Sequence, residues 1–127
     1  MKKYTIHGNE VEAKELPGRK HKMVVRPDNM GAATMCAGEA VFPGNAHAPV
    51  HVHADAEEIL YVISGRGRMY FNGKPEDIEP GTFMFAPAGV EHSIEATTGE
   101  DLKVFYVFSP PVKQGSYDKK QEVHDVR

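Results

Sequence analysis

The sequence has little of what several classes of protein require. It contains one cysteine, Cys36, so an internal disulfide is excluded and a cytosolic protein is expected. No apolar run is long enough for a transmembrane helix, and no apolar segment follows the basic start, as a secretory signal peptide would require. The net charge is -3 and the basic residues are scattered, so no nucleic-acid surface is indicated.

The apolar content is sufficient for one globular domain. The chain has a mass of 14.0 kDa and 40% apolar residues, and a chain of this size buries roughly two-thirds of its unfolded surface. We therefore predict a single domain over residues 1–127. Its core is expected over about 23–111, between a polar N-terminal strand or arm, 1–22, and a charged tail, 112–127.

Short β-prone segments alternate with glycine and proline turns along most of the chain. The clearest strand is Ile59–Ile63, which is rich in β-branched residues, and Asn72-Gly73 is the strongest hairpin signal. Gly38 interrupts a strand expected over Thr34–Phe42, where it indicates a bulge or a close backbone approach. About eight or more such strands, without an amphipathic helix, predict an all-β sandwich or barrel.

Both faces of the strand at Ile59–Ile63 are apolar. Leu60 and Val62 share the face of Glu58, because side chains alternate along a strand. The opposite face carries Ile59, Tyr61 and Ile63. We expect one face to pack on a second sheet and the other to be covered as well, which leads us to predict a homodimer.

A cluster of metal-binding residue types lies in the middle of the chain. His51 and His53 are two apart in an expected strand, Val50–His53, so their imidazoles would point the same way. Glu58 opens the next strand. His92 follows a rigid corner at Pro87–Gly89, from which a strand can direct it inward.

These residues occur in two spaced patterns. The first is Gly44-x6-His51-x-His53-x4-Glu58-x6-Gly65, and the second is Gly81-x5-Pro87-x-Gly89-x2-His92. Together they resemble the two sequence motifs of the cupin family, and they cover residues 44–96. The first motif usually has five residues between its glycine and first histidine. The second usually ends with asparagine where this chain has Ala96. The chain resembles a small single-domain cupin of the conserved-barrel type.

The resemblance implies a cupin jelly-roll β-barrel, a double-stranded β-sandwich of six to eight strands that holds one divalent metal. The ligands it implies are His51, His53, Glu58 and His92. Three imidazoles and one carboxylate suit Fe, Mn, Ni, Cu, Co or Zn. Four protein ligands on an octahedral metal leave two positions for water, substrate or dioxygen, which is typical of a working site.

His47 is the candidate catalytic residue. It has the strand parity of His51, although Pro49 lies between them, and it could act as an acid–base group or a fifth ligand. The alternative is an ordinary loop histidine.

The remaining polar and apolar residues receive simpler interpretations. Arg66 and Arg68 either bind an anion at the rim of the site or are solvated turn charges. The other histidines are interpreted as surface residues: His7, His21 and His124. Several large apolar residues are interpreted as core: Met35, Phe83, Phe85, Ile94 and Phe105.

The metal site does not by itself select a reaction, since one fold serves many functions. Our first hypothesis is a metal-dependent enzyme that acts on a small oxygen-rich molecule, as a dioxygenase-like oxidoreductase first and as an isomerase or lyase second. The alternative hypothesis is a non-catalytic protein that binds or senses a small, sugar-like ligand.

Overall fold

The computed structural model describes residues 3–113, and nearly all of its regular structure is β-sheet. Two short helical segments lie at Gly8–Glu10, a 3-10 turn, and at Pro27–Met30, which is α1. The strands in this range are β1 Lys14–Leu16, β2 Arg19–Val25, β3 Cys36–Phe42, β4 Glu57–Ser64, β5 Gly67–Phe71, β6 Lys74–Ile78, β7 Phe83–Ala86, β8 His92–Ala96 and β9 Leu102–Ser109. The all-β prediction is confirmed.

The strands form two antiparallel sheets. The larger sheet has six strands in the order β1-β2-β3-β9-β4-β7, and the smaller has three in the order β6-β5-β8. The hairpin between β5 and β6 turns at Asn72 and Gly73, which both have positive φ, as its sequence predicts. Among residues 3–113 no helix is long and apolar enough to cross a membrane.

The core lies between the sheets and follows the alternation of the strands. In β9, Leu102, Val104, Tyr106 and Phe108 are buried, and the residues between them are more exposed. The facing side chains from the small sheet include Met69 and Ile94. A side chain of this size contributes about 1.5–3 kcal/mol when fully buried, so this strand alone makes a substantial contribution to the stability of the fold.

The outer face of the large sheet is apolar and exposed in the single chain. In β4, Leu60 and Val62 point into the core as expected, while Ile59 is 50% exposed. Tyr61 pairs with Phe83 on one side and with Phe105 on the other. This apolar outer face comprises Ile59, Tyr61, Ile63, Phe83, Phe85 and Phe105.

The expectation that most large apolar residues are core is therefore wrong in part. Phe83 is 75% exposed, and Met35, Phe85 and Phe105 are also exposed, whereas Ile94 is buried. In the run from Phe83 to Ala86 both alternating sets are apolar, so periodicity could not identify the inward one.

The N-terminal segment is part of the sheet earlier than the sequence suggested. Strand β2 begins at Arg19 and buries Arg19, His21 and Met23 on one face. The interpretation of His21 as a surface residue is wrong, because it is 5% exposed. His7 is exposed. His124 and most of the charged tail lie outside the described residues.

Gly38 lies at a close backbone approach, one of the two alternatives predicted for it, and opposite an irregularity in the neighbouring strand β2. A register shift interrupts β2 between Met23 and Val25, opposite Gly38. A Cβ at Gly38 would clash with the backbone oxygen of Lys22 and would lie 2.6 Å from the Tyr106 hydroxyl. Glycine therefore allows β2 and the Tyr106 side chain to approach β3 closely.

Candidate metal centre

The backbone places His51 directly opposite His92. A strand was expected over Val50–His53, but in the described chain this segment makes only an isolated antiparallel bridge between His51 and His92. The amide of each histidine donates to the carbonyl oxygen of the other at 2.9 Å. Directly paired residues share a face of a sheet. The two rings accordingly meet, with centroids 4.3 Å apart.

His53 is held by the corner that precedes His92. Gly89, in the left-handed conformation at φ 81°, donates its amide to the carbonyl oxygen of His53 at 2.9 Å. The His53 ring packs edge-on against Phe108, with centroids 4.7 Å apart. The turn of the second motif thus fixes the backbone of the first motif.

Glu58 approaches the same point from β4. The residue is 6% exposed, and its Oε1 lies 3.1 Å from Nε2 of His92. The neighbouring acid, Glu57, is exposed, as alternation along the strand requires. Glu58 is therefore the acid that faces the histidines.

These four side chains form a compact set of potential ligands. One ligand atom from each of His51, His53, Glu58 and His92 can be chosen so that all four lie within 4.8 Å of one another. Imidazole nitrogens with a carboxylate oxygen suit a divalent transition metal. The residues present therefore fit the metal that the sequence motifs imply.

Backbone carbonyls orient two of the imidazoles. Nδ1 of His51 lies 3.3 Å from the carbonyl oxygen of Pro49, and Nδ1 of His92 lies 3.1 Å from that of Val90. An Nδ1–H that donates to these oxygens leaves the lone pair of Nε2 available to a metal.

Burial and neighbouring charges shift the pKa values of two of the histidines in opposite directions. Burial, followed by the charges of His92 and His53, holds the pKa of His51 well below its usual value. Burial also opposes protonation of His92, but the hydrogen bond and negative charge of Glu58 outweigh it and raise the pKa of His92. His51 is thus favoured as a neutral ligand, whereas His92 and Glu58 form a pair that can share a proton.

The structure does not bring His47 to this cluster. His47 pairs with Glu95, while His51 pairs with His92, so one strand gains a residue near Pro49. A one-residue shift reverses the face of the side chains that follow. His47 is consequently exposed, stacks on Tyr70, and lies 3.3 Å from the hydroxyl of Ser93, which alternates with His92 in β8.

A small cavity of about 40 Å³ adjoins the four candidate ligands. Leu60 and Ile94 form part of its apolar wall. Arg19, His21 and Tyr106 also line it, and sequence reasoning overlooked Arg19 and His21. The sequence did carry a signal for this face. Arg19, His21 and Met23 alternate along one strand, and the apolar Met23 indicates an inward face, but the other two residues on that face are polar.

Arg66 and Arg68, which the sequence offered as possible anion-binding residues, lie outside the cavity lining. Arg66 forms an ion pair with Glu79 at 2.6 Å, and Arg68 lies 3.5 Å from Asp77. Both arginines are exposed, and neither is among the described residues that line the cavity. They are charges of the turn and edge of the small sheet.

Two curated relatives are similar over part of the chain. An oxalate-binding protein of Thermotoga maritima is 35% identical over 65 residues, which cover 51% of this chain and 54% of that protein. Acireductone dioxygenase 4 of Oryza sativa is 32% identical over 84 residues, which cover 61% of this chain and 44% of the dioxygenase. The chain thus matches about half or less of the length of each.

Solved structures share this fold. The crystal structure of a predicted oxalate decarboxylase from Thermotoga maritima superposes with a TM-score of 0.75 at 22% identity, over 84% of this chain and 98% of that one. At this identity the likeness shows the jelly-roll fold alone. The sequence profile of the Cupin domain matches residues 38–108, which include all four candidate ligands. This chain belongs to the cupin family.

Proposed function

We propose that this chain is a metal-dependent enzyme that acts on a small oxygen-rich molecule, with dioxygenase-like oxidoreductase chemistry first and isomerase or lyase chemistry second. The observation that carries the proposal is the convergence of three imidazoles and one carboxylate within 4.8 Å beside a small cavity. A bound divalent metal would supply Lewis acidity or, in the case of iron, activation of dioxygen.

The residues around the ligands provide the other requirements of a reaction. Leu60 and Ile94 give the cavity an apolar wall, and an apolar wall strengthens electrostatic interactions beside it. We assign the acid–base role to His21 in place of His47, because His21 lines the cavity and stacks on Tyr106, with ring centroids 4.7 Å apart. The similarity to an acireductone dioxygenase supports the oxidoreductase class.

The second candidate function is non-catalytic binding of a small ligand. It is favoured by the position of His47, which removes the acid–base group expected from sequence. The similarity to an oxalate-binding protein also supports it. In this case the cavity and the four candidate metal ligands would bind the small molecule without converting it.

Assays of the metal-loaded protein distinguish the two functions. The chain is loaded with each of Fe, Mn, Co, Ni, Cu and Zn and mixed with small hydroxy acids, keto acids and enediols, with oxygen uptake and products measured. We expect metal-dependent turnover that is lost in Glu58→Gln and retained in the matched exposed variant Glu57→Gln. Saturable binding without turnover under every metal would support the binding protein and contradict the enzyme.

Two further expectations remain predictions. One is the cytoplasmic location, which rests on the single cysteine. The other is the homodimer, for which the apolar outer face supplies the surface.

A further inference from the structure

A second cleft opens between one end of each sheet. Among the described strands, β6 lies at an end of the smaller sheet and β7 at an end of the larger one. Residues of both strands line a cleft of about 380 Å³, which is within the range of small-molecule pockets, roughly 300–1,000 Å³. None of the described residues that line the cavity of the candidate metal centre also lines this cleft. The cleft is therefore a separate candidate site.

The buried part of the cleft lining is apolar and adaptable. It comprises Met69, Ile78 and Met84, each 6% exposed or less. Phe83 and Phe85 also line the cleft, although their side chains alternate with that of Met84 and belong to the apolar outer face. Methionine is unbranched and polarizable, and its sulfur makes favourable contacts with aromatic rings. This surface is suited to the apolar, preferably aromatic, body of a ligand.

Glu76 brings a carboxylate to this apolar surface. It pairs directly with Met69, so the two side chains share the inward face of the smaller sheet. In the part of the chain that the structure describes, the Glu76 carboxylate forms no ion pair, whereas that of Asp77 lies 3.5 Å from Arg68. Lys74 shares the face of Glu76 but does not line the cleft. The described residues that line it include two acids and no lysine, arginine or histidine, so the cleft attracts positive charge.

We propose that this cleft binds a small organic cation, an amine whose ammonium group pairs with Glu76 and whose apolar body packs on Ile78 and Met84. The charge of the lining selects this occupant. An anion would meet the carboxylates of Glu76 and Asp77, and a neutral ligand would cover the Glu76 carboxylate without compensating its charge. The inference goes beyond the proposed function, since it requires neither a metal nor a reaction.

Glu76 also has a simpler interpretation. A charge on the inward face of an edge strand discourages pairing of that strand with another chain, and β6 is such a strand in the described sheet. That role alone predicts no affinity for amines. A measurement of amine binding therefore separates the two interpretations.

Phenethylamine and phenethyl alcohol provide a matched pair of probes, because they have the same number of heavy atoms and differ in charge at neutral pH. The full chain, carrying methyl-labelled methionine, is titrated with each probe and followed by nuclear magnetic resonance. We expect the methyl resonance of Met84 to move and saturate, while that of Met23, which does not line the cleft, stays fixed. We expect the amine to bind at least about threefold more tightly than the alcohol.

Glu76→Gln removes the charge and nearly preserves the shape of the side chain. We expect its affinity for the amine to fall at least about threefold while its affinity for the alcohol stays within about twofold of the wild type. The matched control Glu100→Gln removes an exposed acid outside the cleft and is expected to change neither affinity. No movement of the Met84 resonance, equal binding of the two probes, or unchanged amine affinity in Glu76→Gln would overturn the proposal. The comparison of the two probes in the wild type does not depend on the folding of any variant.

Discussion

At the scale of single residues, the candidate metal centre is oriented by the backbone. Pro49 and Val90 each lie two residues before a candidate ligand and place a carbonyl oxygen beside its Nδ1. Holding the rings in this way before a metal binds reduces the conformational entropy that binding must overcome. The arrangement follows from local chain geometry, so it does not require additional side chains.

Gly38 is the residue at which a single added methyl should be most damaging to the strands beside the site. In Gly38→Ala the Cβ would meet the Lys22 carbonyl and the Tyr106 hydroxyl, which donates to that carbonyl at 2.9 Å. We expect the free energy of unfolding to fall by about 2–3 kcal/mol, as measured by urea denaturation.

The matched control for this substitution is Gly8→Ala. Its nearest neighbour would be a carboxylate oxygen of Glu39 at 3.6 Å, an ordinary contact. We expect a change of less than about 0.5 kcal/mol there. Equal stabilities of the two variants would contradict the close approach of β2 to β3.

At the scale of strands, the alternation of side chains predicted which residues point inward along a regular strand. It failed where the register between paired strands changes. It placed Leu60 and Val62 on the inward face that carries Glu58, because β4 alternates regularly over that stretch. It misplaced His47, because the extra residue near Pro49 is a feature of strand pairing that a single segment does not reveal.

Polar residues on an inward face were the other source of error. Arg19 and His21 lie in a segment rich in charge, and charge normally indicates solvent. Only the pairing of β2 with β3 shows that their face is the cavity side. The candidate metal ligands were identifiable because their residue types and spacing are specific, whereas a lone arginine has no such signature.

The apolar outer face of β7, β4 and β9 is a strand-scale feature that a single chain leaves exposed. Its three phenylalanines and two isoleucines expose on the order of 500 Å². A standard interface buries about 800 Å² on each partner, so this face forms most of one. We propose that a second copy covers it, because one apolar sheet face can pack against the same face of a second copy across a twofold axis.

Phe83→Glu tests this dimer, because Phe83 is 75% exposed on that face. We expect the wild type to show twice the 14.0 kDa chain mass in light scattering and Phe83→Glu to show the mass of one chain. The control Tyr4→Glu alters an aromatic residue that is 82% exposed and lies before β1, and it should remain dimeric. A monomeric wild type, or a dimeric Phe83→Glu, would contradict the proposed interface.

At the scale of the whole molecule, one interior serves as both core and site. Sequence patterns were sufficient for the all-β class, the two-sheet architecture and the four candidate ligands. Residues of β2 form part of the cavity wall, and β2 is distant from both motifs in sequence. Such long-range placement requires the three-dimensional structure, because no local pattern encodes it.

The central claim is that His51, His53, Glu58 and His92 hold one divalent metal ion. Its most direct test is a titration of metal-free protein with Mn, Fe, Ni or Zn, monitored by calorimetry and by thermal unfolding. At a hundredfold excess over the dissociation constant, binding stabilises the fold by about 2.7 kcal/mol, which should raise the melting temperature by roughly 10 °C. We predict about one metal ion per chain, at least tenfold weaker binding in Glu58→Gln, and unchanged binding in Glu57→Gln. No bound metal and no rise in melting temperature, or equal binding by the two variants, would contradict the account.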